Sequence, residues 1–310
     1  MAKLTHLKNV EHAPNTVITV GTFDGVHQGH RALIDSVVSK AKKRDARSVV
    51  VTFDPHPREI INPGKGGIKL LTTLQERSEI MEDYGIDMLL VIPFDRDFSL
   101  LSSEEFVRGI IYKKVGVSEF VIGYDHHFGR DREGTIETIE KLGAQLDFDT
   151  YVVTKKEMGN TTISSTVIRK ILAEEGNVKK ASIFLGRPYL LNGIVMHGAE
   201  RGRQIGFPTA NIQPEHENKV VPKNGVYAVK VRVEGEWFGG MMNIGIRPTF
   251  DGQEKTLEVN IFNFDKRIYG DKIQVRFIDR IRDEVKFDGV EALKAQLHTD
   301  KKQSLDLLKP

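Results

Sequence analysis

Hydrophobic positions follow two different repeats in the two halves of the chain. In the first half, short apolar runs occur at 17–20, 48–53, 88–92, 119–122 and 150–153. Between them, apolar residues recur every three to four positions. Continuous apolar runs predict buried parallel strands, and the three-to-four spacing predicts amphipathic helices. The alternation therefore predicts a doubly wound α/β domain, with a Rossmann-like parallel sheet covered by helices.

The pattern changes near Gly186. Beyond that residue the chain consists of short alternating segments, separated by turn dipeptides such as Asn-Gly and Asp-Gly. Such segments predict a small antiparallel β-barrel. Apolar residues on one helical face predict a closing C-terminal helix over 289–298. We therefore expect two domains, 1–184 and 185–310.

The composition narrows the class of protein. The 310 residues carry a formal net charge of +2, which gives no indication of nucleic-acid binding by bulk charge. The chain has no cysteine, which excludes disulfides and cysteine-based zinc sites and fits a reducing compartment. The N-terminal residues lack the apolar core of a signal peptide, and no apolar run approaches about 20 residues. We therefore expect a cytoplasmic protein without a membrane-spanning segment.

The stretch TVITVGTFDGVHQGH, residues 16–30, joins the first predicted strand to the first predicted helix. His27 and His30 lie three positions apart where that helix begins. A helix N-terminus offers free backbone N–H groups and a positive dipole end, which suit a phosphate. Two imidazoles there can hydrogen-bond a phosphate oxygen as charge builds on it. The alternative is a capping loop with two incidental histidines, but the strand-to-helix switch favours a phosphate site.

Three motifs of the first half resemble those of one family. GTFDGVHQGH resembles the phosphate-binding motif of class I nucleotidyltransferases. TFDPHP and ISSTVIR narrow the resemblance to the adenylyltransferase module of bacterial bifunctional riboflavin kinase/FAD synthetases. The resemblance implies that the FMN phosphate attacks the α-phosphate of ATP and that pyrophosphate leaves. Besides the catalytic His27 and His30, it implies nucleotide and phosphate contacts from Gly21, Phe23, Gly29, His56, Ser165, Thr166 and Arg169.

Several of these residues have simpler alternatives. Ser165 and Thr166 also suit helix N-capping, which is compatible with phosphate binding. His56, between two prolines, is either a turn residue or a nucleotide contact, and the resemblance favours the contact. The resemblance also places Asp125 near the flavin phosphate or the nucleotide. The two histidines that follow Asp125 depart from the family pattern, and spacing places no further ligand that would make them a metal site.

The second half carries a glycine-rich basic loop, HGAERGRQIG, that runs into FPTAN. It is not a P-loop, because the Gly-Lys-Ser/Thr ending is missing. Its glycines Gly198, Gly202 and Gly206 predict nucleotide contacts, with hairpin turns as the alternative. Thr209 and Asn211 alternate to one side of an extended segment, so both oxygens can face one Mg²⁺ held with substrate phosphates.

The string GRQIGFPTAN resembles the flavokinase signature of the same family, and NIGIRPTF and IRDEVKF extend the resemblance over the whole chain. It implies a riboflavin kinase module in which Glu258 is the general base for the ribityl 5′-hydroxyl. An exposed strand carboxylate is the alternative for that residue. The resemblance also implies that Arg282 and Glu284 flank the flavin. The implied substrates are ATP, riboflavin and FMN, with Mg²⁺ accompanying ATP, and no nucleic-acid partner is expected.

The expected function is therefore two activities in one chain. The barrel phosphorylates riboflavin to FMN, and the sheet domain adenylylates FMN to FAD. The rivals are an enzyme with one decayed module, a flavin sensor without turnover, and an RNA-related synthetase-like protein. Both motif sets are intact, which argues against the first two rivals. The missing KMSKS-type loop and the small net charge argue against the third. The oligomeric state is not predicted.

Overall fold

A computed structural model of the chain describes residues 3–61, 67–124, 127–154, 157–158, 161–198, 201–249 and 252–309. These residues form two compact units. The sheet unit runs up to Ser164, and the barrel unit begins at Ser165. The helices between 165 and 185 therefore belong to the same compact unit as the barrel that follows them.

The sheet unit is built on six parallel strands. They are β1 (Lys3–His6), β2 (Thr16–Val20), β3 (Arg47–Asp54), β4 (Met88–Pro93), β5 (Glu119–Gly123) and β6 (Asp149–Val153), in the spatial order β1-β4-β3-β2-β5-β6. The five strands expected from apolar runs are confirmed. The sequence did not predict β1, because its only buried residue is Thr5. The strand order reverses between β2 and β5, where sheets of this kind bind ligands beyond the carboxyl ends of their strands.

Helices cover both faces of this sheet. They are α1 (Gln28–Arg44), α2 (Pro57–Ile61), α3 (Leu74–Asp83), α4 (Arg96–Ser99), α5 (Ser103–Glu105), which continues as a π-helix over Phe106–Val115, and α6 (Ile136–Leu146). Short 3-10 turns lie at Leu7–Asn9 and Arg130–Arg132, and β7 (Glu157–Met158) pairs with β8 (Thr161–Thr162). Adjacent residues of β2 enter opposite cores, since Val17 packs with Ile34 of α1 and Ile18 with Phe106.

The barrel unit begins with α7 (Ser165–Lys170), a π-helical turn over Ile171–Glu175 and α8 (Val178–Leu185). Six antiparallel strands then close the expected barrel in the order β10-β13-β12-β11-β14-β9. They are β9 (Tyr189–Met196), β10 (Ala210–Pro214), β11 (Gly225–Val233), β12 (Glu236–Thr249), β13 (Gly252–Ile261) and β14 (Lys272–Arg282), with α9 (Arg201–Gln204) between β9 and β10. Within the described ranges, no helix is long and apolar enough to cross a bilayer.

The C-terminal helix α10 (Val290–Leu307) is present but longer than expected. The prediction that it ends near His298 is wrong, because two residues of the polar stretch after His298, Asp300 and Ser304, are fully buried. Asp300 is fully buried and accepts hydrogen bonds from Nη2 of Arg282 at 2.7 Å and from Nε2 of Gln296 at 2.8 Å. A paired carboxylate therefore continues the inner face of α10 beyond the apolar positions that predicted the helix.

Candidate active sites

The first predicted site lies between the carboxyl end of β2 and the start of α1. His27 caps α1, and its Nδ1 accepts a hydrogen bond from the backbone N–H of His30 at 3.4 Å. The two imidazoles stack with centroids 3.7 Å apart and planes at 16°. The ring of Phe23 meets His30 edge-on at 5.1 Å. The structure therefore brings three of the predicted residues together at a helix N-terminus.

Two predicted glycines allow this close packing. A Cβ on Gly29 would lie 3.2 Å from Nδ1 of His27. A Cβ on Gly21 would lie 3.1 Å from Cε2 of Phe23. Both distances are shorter than ordinary van der Waals contact, so a larger residue at either position would displace a ring. The two glycines therefore leave the rings of Phe23 and His27 in their observed positions, which a Cβ would shift by a few tenths of an ångström.

Sequence reasoning missed the residues that anchor this loop to the segment before α3. Asp24 is fully buried between Phe23 and Gly25, and its carboxylate accepts hydrogen bonds from backbone N–H groups of Leu71 and Thr72. The string GTFDG contains Asp24, but nothing local indicates that its partners lie just before α3.

The remaining residues predicted for adenylyl transfer lie in other elements. His56 follows β3, and its Nδ1 accepts a hydrogen bond from the backbone N–H of Arg58 at 3.2 Å, as expected of a turn residue. Ser165, Thr166 and Arg169 lie within α7, at the start of the barrel unit. Their grouping with His27 and His30 stays a prediction. Asp125 and His126 lie outside the described residues.

The second predicted site lies on the outer face of the barrel. Glu258 of β13 is directly opposite Asn211 of β10 on one side and Asn243 of β12 on the other. Its neighbours Leu257 and Val259 are buried and face the barrel interior, and successive strand residues alternate faces. The two amides and the carboxylate therefore form one row across three strands. Asn243 was quoted in a motif but given no role from the sequence.

The glycine-rich loop packs closely around the threonine and asparagine of the PTAN motif. The Oγ1 of Thr209 lies 3.4 Å from Oε2 of Glu258. A Cβ on Gly198 would lie only 1.9 Å from Nδ2 of Asn211. A Cβ on Gly202 would lie 2.3 Å from the carbonyl oxygen of Phe207 and 3.4 Å from Oγ1 of Thr209. Gly206 adopts φ +84°, a left-handed conformation that favours glycine.

The donor set of this site fits Mg²⁺ bound together with a substrate. In the part of the chain that the structure describes, no group of three or more His, Cys, Asp or Glu side chains could hold a metal ion. Thr209 and Asn211 instead offer a hydroxyl and an amide oxygen, which are hard ligands. Mg²⁺ commonly takes one or two protein ligands and completes its shell with water and phosphate. An open cleft beside Thr209 is lined by Arg203, Lys266, Arg267 and Tyr269.

The two residues predicted to flank the flavin, Arg282 and Glu284, have different surroundings. The Oε1 of Glu284 lies 2.2 Å from the position that a Cβ on Gly245 would take, and Nδ2 of Asn243 lies 3.2 Å from the same position. Glu284 therefore lies beside the row that contains Glu258. The guanidinium of Arg282 is instead held by Asp300 of α10.

Comparison with known proteins assigns each unit to a family. The family model for FAD synthetases matches residues 9–167, and the model for riboflavin kinases matches residues 185–308. A bifunctional riboflavin kinase/FMN adenylyltransferase from Listeria monocytogenes is 40% identical over 291 residues, covering 94% of this chain and 91% of the relative. The chain belongs to the bifunctional riboflavin kinase/FMN adenylyltransferase family. The relative of the same name from Escherichia coli is 37% identical over 303 residues, covering 97% and 96% of the two chains.

Membership of this bifunctional family confirms the expected enzyme class, a transferase with a riboflavin kinase and an FMN adenylyltransferase activity. A crystal structure described as a macrolide-efflux protein from Streptococcus pneumoniae shares the fold, with a TM-score of 0.89 and 33% identity. The match covers 97% of this chain and 98% of that one. The description concerns that protein, and the likeness shows a common fold.

Proposed function

We propose that the two activities of this bifunctional enzyme reside at the two sites described above. The corner of His27 and His30 transfers the adenylyl group of ATP to FMN. The barrel face around Glu258 transfers the γ-phosphoryl group of ATP to riboflavin. The observation that carries the proposal is that each constellation lies within the range matched by the corresponding family model.

Adenylyl transfer needs stabilisation of charge and no protein nucleophile. An oxygen of the FMN phosphate forms a bond to the α-phosphorus of ATP, and the bond from that phosphorus to pyrophosphate breaks. In neutral His27, Nδ1 accepts the N–H of His30, so the proton is on Nε2 and can be donated to a phosphate oxygen. The N-terminus of α1 adds backbone donors and a positive dipole end. Both groups stabilise the negative charge that shifts during transfer.

The other residues proposed for this half-reaction extend the nucleotide and flavin contacts. Ser165, Thr166 and Arg169 bind the β- and γ-phosphates of ATP, since hydroxyl, backbone N–H and guanidinium groups all donate to phosphate. His56 contacts the nucleotide, and Asp125 contacts the flavin side.

Phosphoryl transfer in the barrel requires one base and an ordered nucleotide. Glu258 accepts the proton of the ribityl 5′-hydroxyl as that oxygen bonds to the γ-phosphorus and the bond to ADP breaks. Thr209 and Asn211 would hold the Mg²⁺ that accompanies ATP, and this ion would neutralise charge on the β- and γ-phosphates. Glu284 flanks the flavin beside Asn243. Arg282 fixes the end of β14 against α10 and supports the flavin site from there.

The proposed substrates are ATP, riboflavin and FMN. We place both reactions in the cytoplasm, because ATP, the donor of both groups, is a cytoplasmic metabolite.

Incubation of the purified protein with riboflavin, ATP and Mg²⁺, followed by chromatography of the flavins, tests the proposal. We expect FMN to form first and FAD to follow, and a reaction with EDTA in excess of Mg²⁺ is the control. Failure to form either product would refute the proposal. Formation of FMN without FAD, even when FMN is supplied, would refute the assignment of the sheet unit.

A further inference from the structure

The loop between β2 and α1 has an unfavourable backbone conformation. Phe23 adopts φ +47° and Val26 adopts φ +40°, on either side of Gly25 at φ +84°. Left-handed φ values are uncommon for residues other than glycine, and a β-branched residue such as valine is a clear outlier there. Such conformations persist only where the surroundings hold them, and they cluster at functional sites. Contacts with neighbouring residues must therefore hold this loop in its conformation.

Asp24 joins the loop to the segment that precedes α3. Its Oδ1 accepts the backbone N–H groups of Leu71 at 3.0 Å and Thr72 at 2.9 Å, and its Oδ2 accepts that of Leu71 at 3.1 Å. The hydroxyl of Thr72 lies 3.3 Å from Oδ1 and accepts the backbone N–H of Gly25 at 2.9 Å. Thr72 therefore contacts both the side chain of Asp24 and the backbone of Gly25.

Arg77 of α3 extends this set to β3. It is 3% exposed, and its Nη1 donates to Oγ1 of Thr52 at 2.8 Å while its Nη2 donates to the carbonyl oxygen of Thr72 at 3.2 Å. Thr52 in turn donates to the carbonyl oxygen of Thr22 at 3.0 Å. Burial lowers the pKa of Arg77, and the Asp24 carboxylate, whose Oδ1 is 3.9 Å from Nη2, opposes that shift. The series of hydrogen bonds that begins at Asp24 therefore ends at Thr22, in the same loop.

We propose that Asp24, Thr72 and Arg77 are positioning residues for adenylyl transfer. They fix residues 22–25 in the strained conformation that sets where α1 begins, and so set the positions of His27 and His30. None of the three belongs to the predicted phosphate contacts, and they act through the loop. The inference rests on the proposed function of the two histidines.

Thr72→Val tests the inference, because it removes one hydroxyl and changes the shape of the side chain little. We expect kcat for FAD formation from FMN to fall about 10- to 100-fold, since a displacement near 1 Å has that effect on a positioned group. The KM values for ATP and FMN should change less, and FMN formation from riboflavin should be unchanged. Thr72→Ser keeps the hydroxyl and should restore most of the lost kcat.

Thr16→Val is the matched control in the same unit. Thr16 is also buried, and its hydroxyl donates to the carbonyl oxygen of Ala13 at 2.6 Å and accepts Nη2 of Arg47 at 3.2 Å. It lies at the amino end of β2, opposite to the loop. We expect Thr16→Val to lower the thermal midpoint about as much as Thr72→Val and to keep the wild-type kcat.

Two results would overturn the inference. One is wild-type kcat in folded Thr72→Val, and the other is an equal loss of kcat in Thr16→Val. If Thr72→Val does not fold, Arg77→Lys decides the matter, because it keeps the charge and loses the forked donors; wild-type kcat in that variant would then refute the inference. If the wild-type protein forms no FAD, the proposed function fails instead of the positioning role.

Discussion

Asn211 and Glu258 lie directly opposite one another in the ladder between β10 and β13, although two whole strands, β11 and β12, separate them in the sequence. Opposed residues of an antiparallel pair project from the same face. The proposed magnesium ligand therefore lies beside the proposed general base, and Thr209 joins them with its Oγ1 3.4 Å from the Glu258 carboxylate. Base catalysis and metal binding are thus assigned to adjacent but different side chains, and each can be changed by its own substitution.

Replacing the base should stop only the kinase. We expect Glu258→Gln to lower kcat for FMN formation by about 10²- to 10⁴-fold, because the amide cannot accept the hydroxyl proton. FAD formation from supplied FMN should stay at the wild-type rate. Chromatography of the flavins measures both rates. Glu236→Gln, an exposed carboxylate on the same barrel, is the control and should leave both rates unchanged. A Glu258→Gln enzyme with normal FMN formation would exclude Glu258 as the base.

Displacing the side chain of Asn211 should raise the Mg²⁺ concentration that the kinase needs. A Cβ at position 198 would overlap the Asn211 amide at 1.9 Å, so Gly198→Ala must displace that side chain. We expect the Mg²⁺ concentration for half-maximal kinase activity to rise about tenfold, as for other losses of support around a metal ligand. Gly109→Ala, whose Cβ would meet nothing within 4 Å, is the control. An unchanged Mg²⁺ titration in Gly198→Ala would count against a role of Asn211 in metal binding.

The histidine pair should affect only FAD formation. We expect His30→Ala to lower kcat for adenylyl transfer by about 10²- to 10³-fold, because one stabilising donor is lost from the transition state. The rate of riboflavin phosphorylation should not change. His12→Ala, an exposed histidine of the same unit, is the control. Equal loss of both activities in a folded His30→Ala protein would show that the two sites are not independent.

The ion pair between Arg282 and Asp300 should contribute to barrel stability. Asp300→Ala leaves the Arg282 guanidinium, which is 21% exposed, without its carboxylate partner. We expect a loss of about 3 kcal/mol in the free energy of unfolding. Trp237, the single tryptophan, lies in the barrel and reports its unfolding in urea by fluorescence. Asp306→Ala, which breaks an exposed pair with Lys309, is the control and should not shift the transition. An unshifted transition in Asp300→Ala would contradict a stabilising role.

The sequence predicted those features that depend on neighbouring residues. Apolar runs located strands β2 to β6, and the helix start after His27 followed from glycine spacing and apolar periodicity. Thr73 and Glu76 also have the spacing of a capping box, a signature that the sequence alone displays, and both of its hydrogen bonds are present. Local patterns of this kind set which face of an element is buried.

Features that depend on distant partners could not be predicted. The strand β1 pairs with β4 but has no apolar run of its own. The extension of α10 depends on Asp300 finding Arg282 on another element. The burial of Asp24 depends on backbone groups before α3, and no local pattern indicates a buried charge. In each case the energy comes from a contact that only the tertiary fold creates.

One chain carries two independent sites in this account. Mixing two full-length variants, each inactive at one site, tests that claim most directly. Neither His30→Ala nor Glu258→Gln alone should convert riboflavin to FAD at an appreciable rate. An equimolar mixture given riboflavin, ATP and Mg²⁺ should produce FAD, because the first variant supplies FMN and the second adenylylates it. If the mixture yields no FAD, although the first variant makes FMN and the second uses added FMN, the account of independent sites is contradicted.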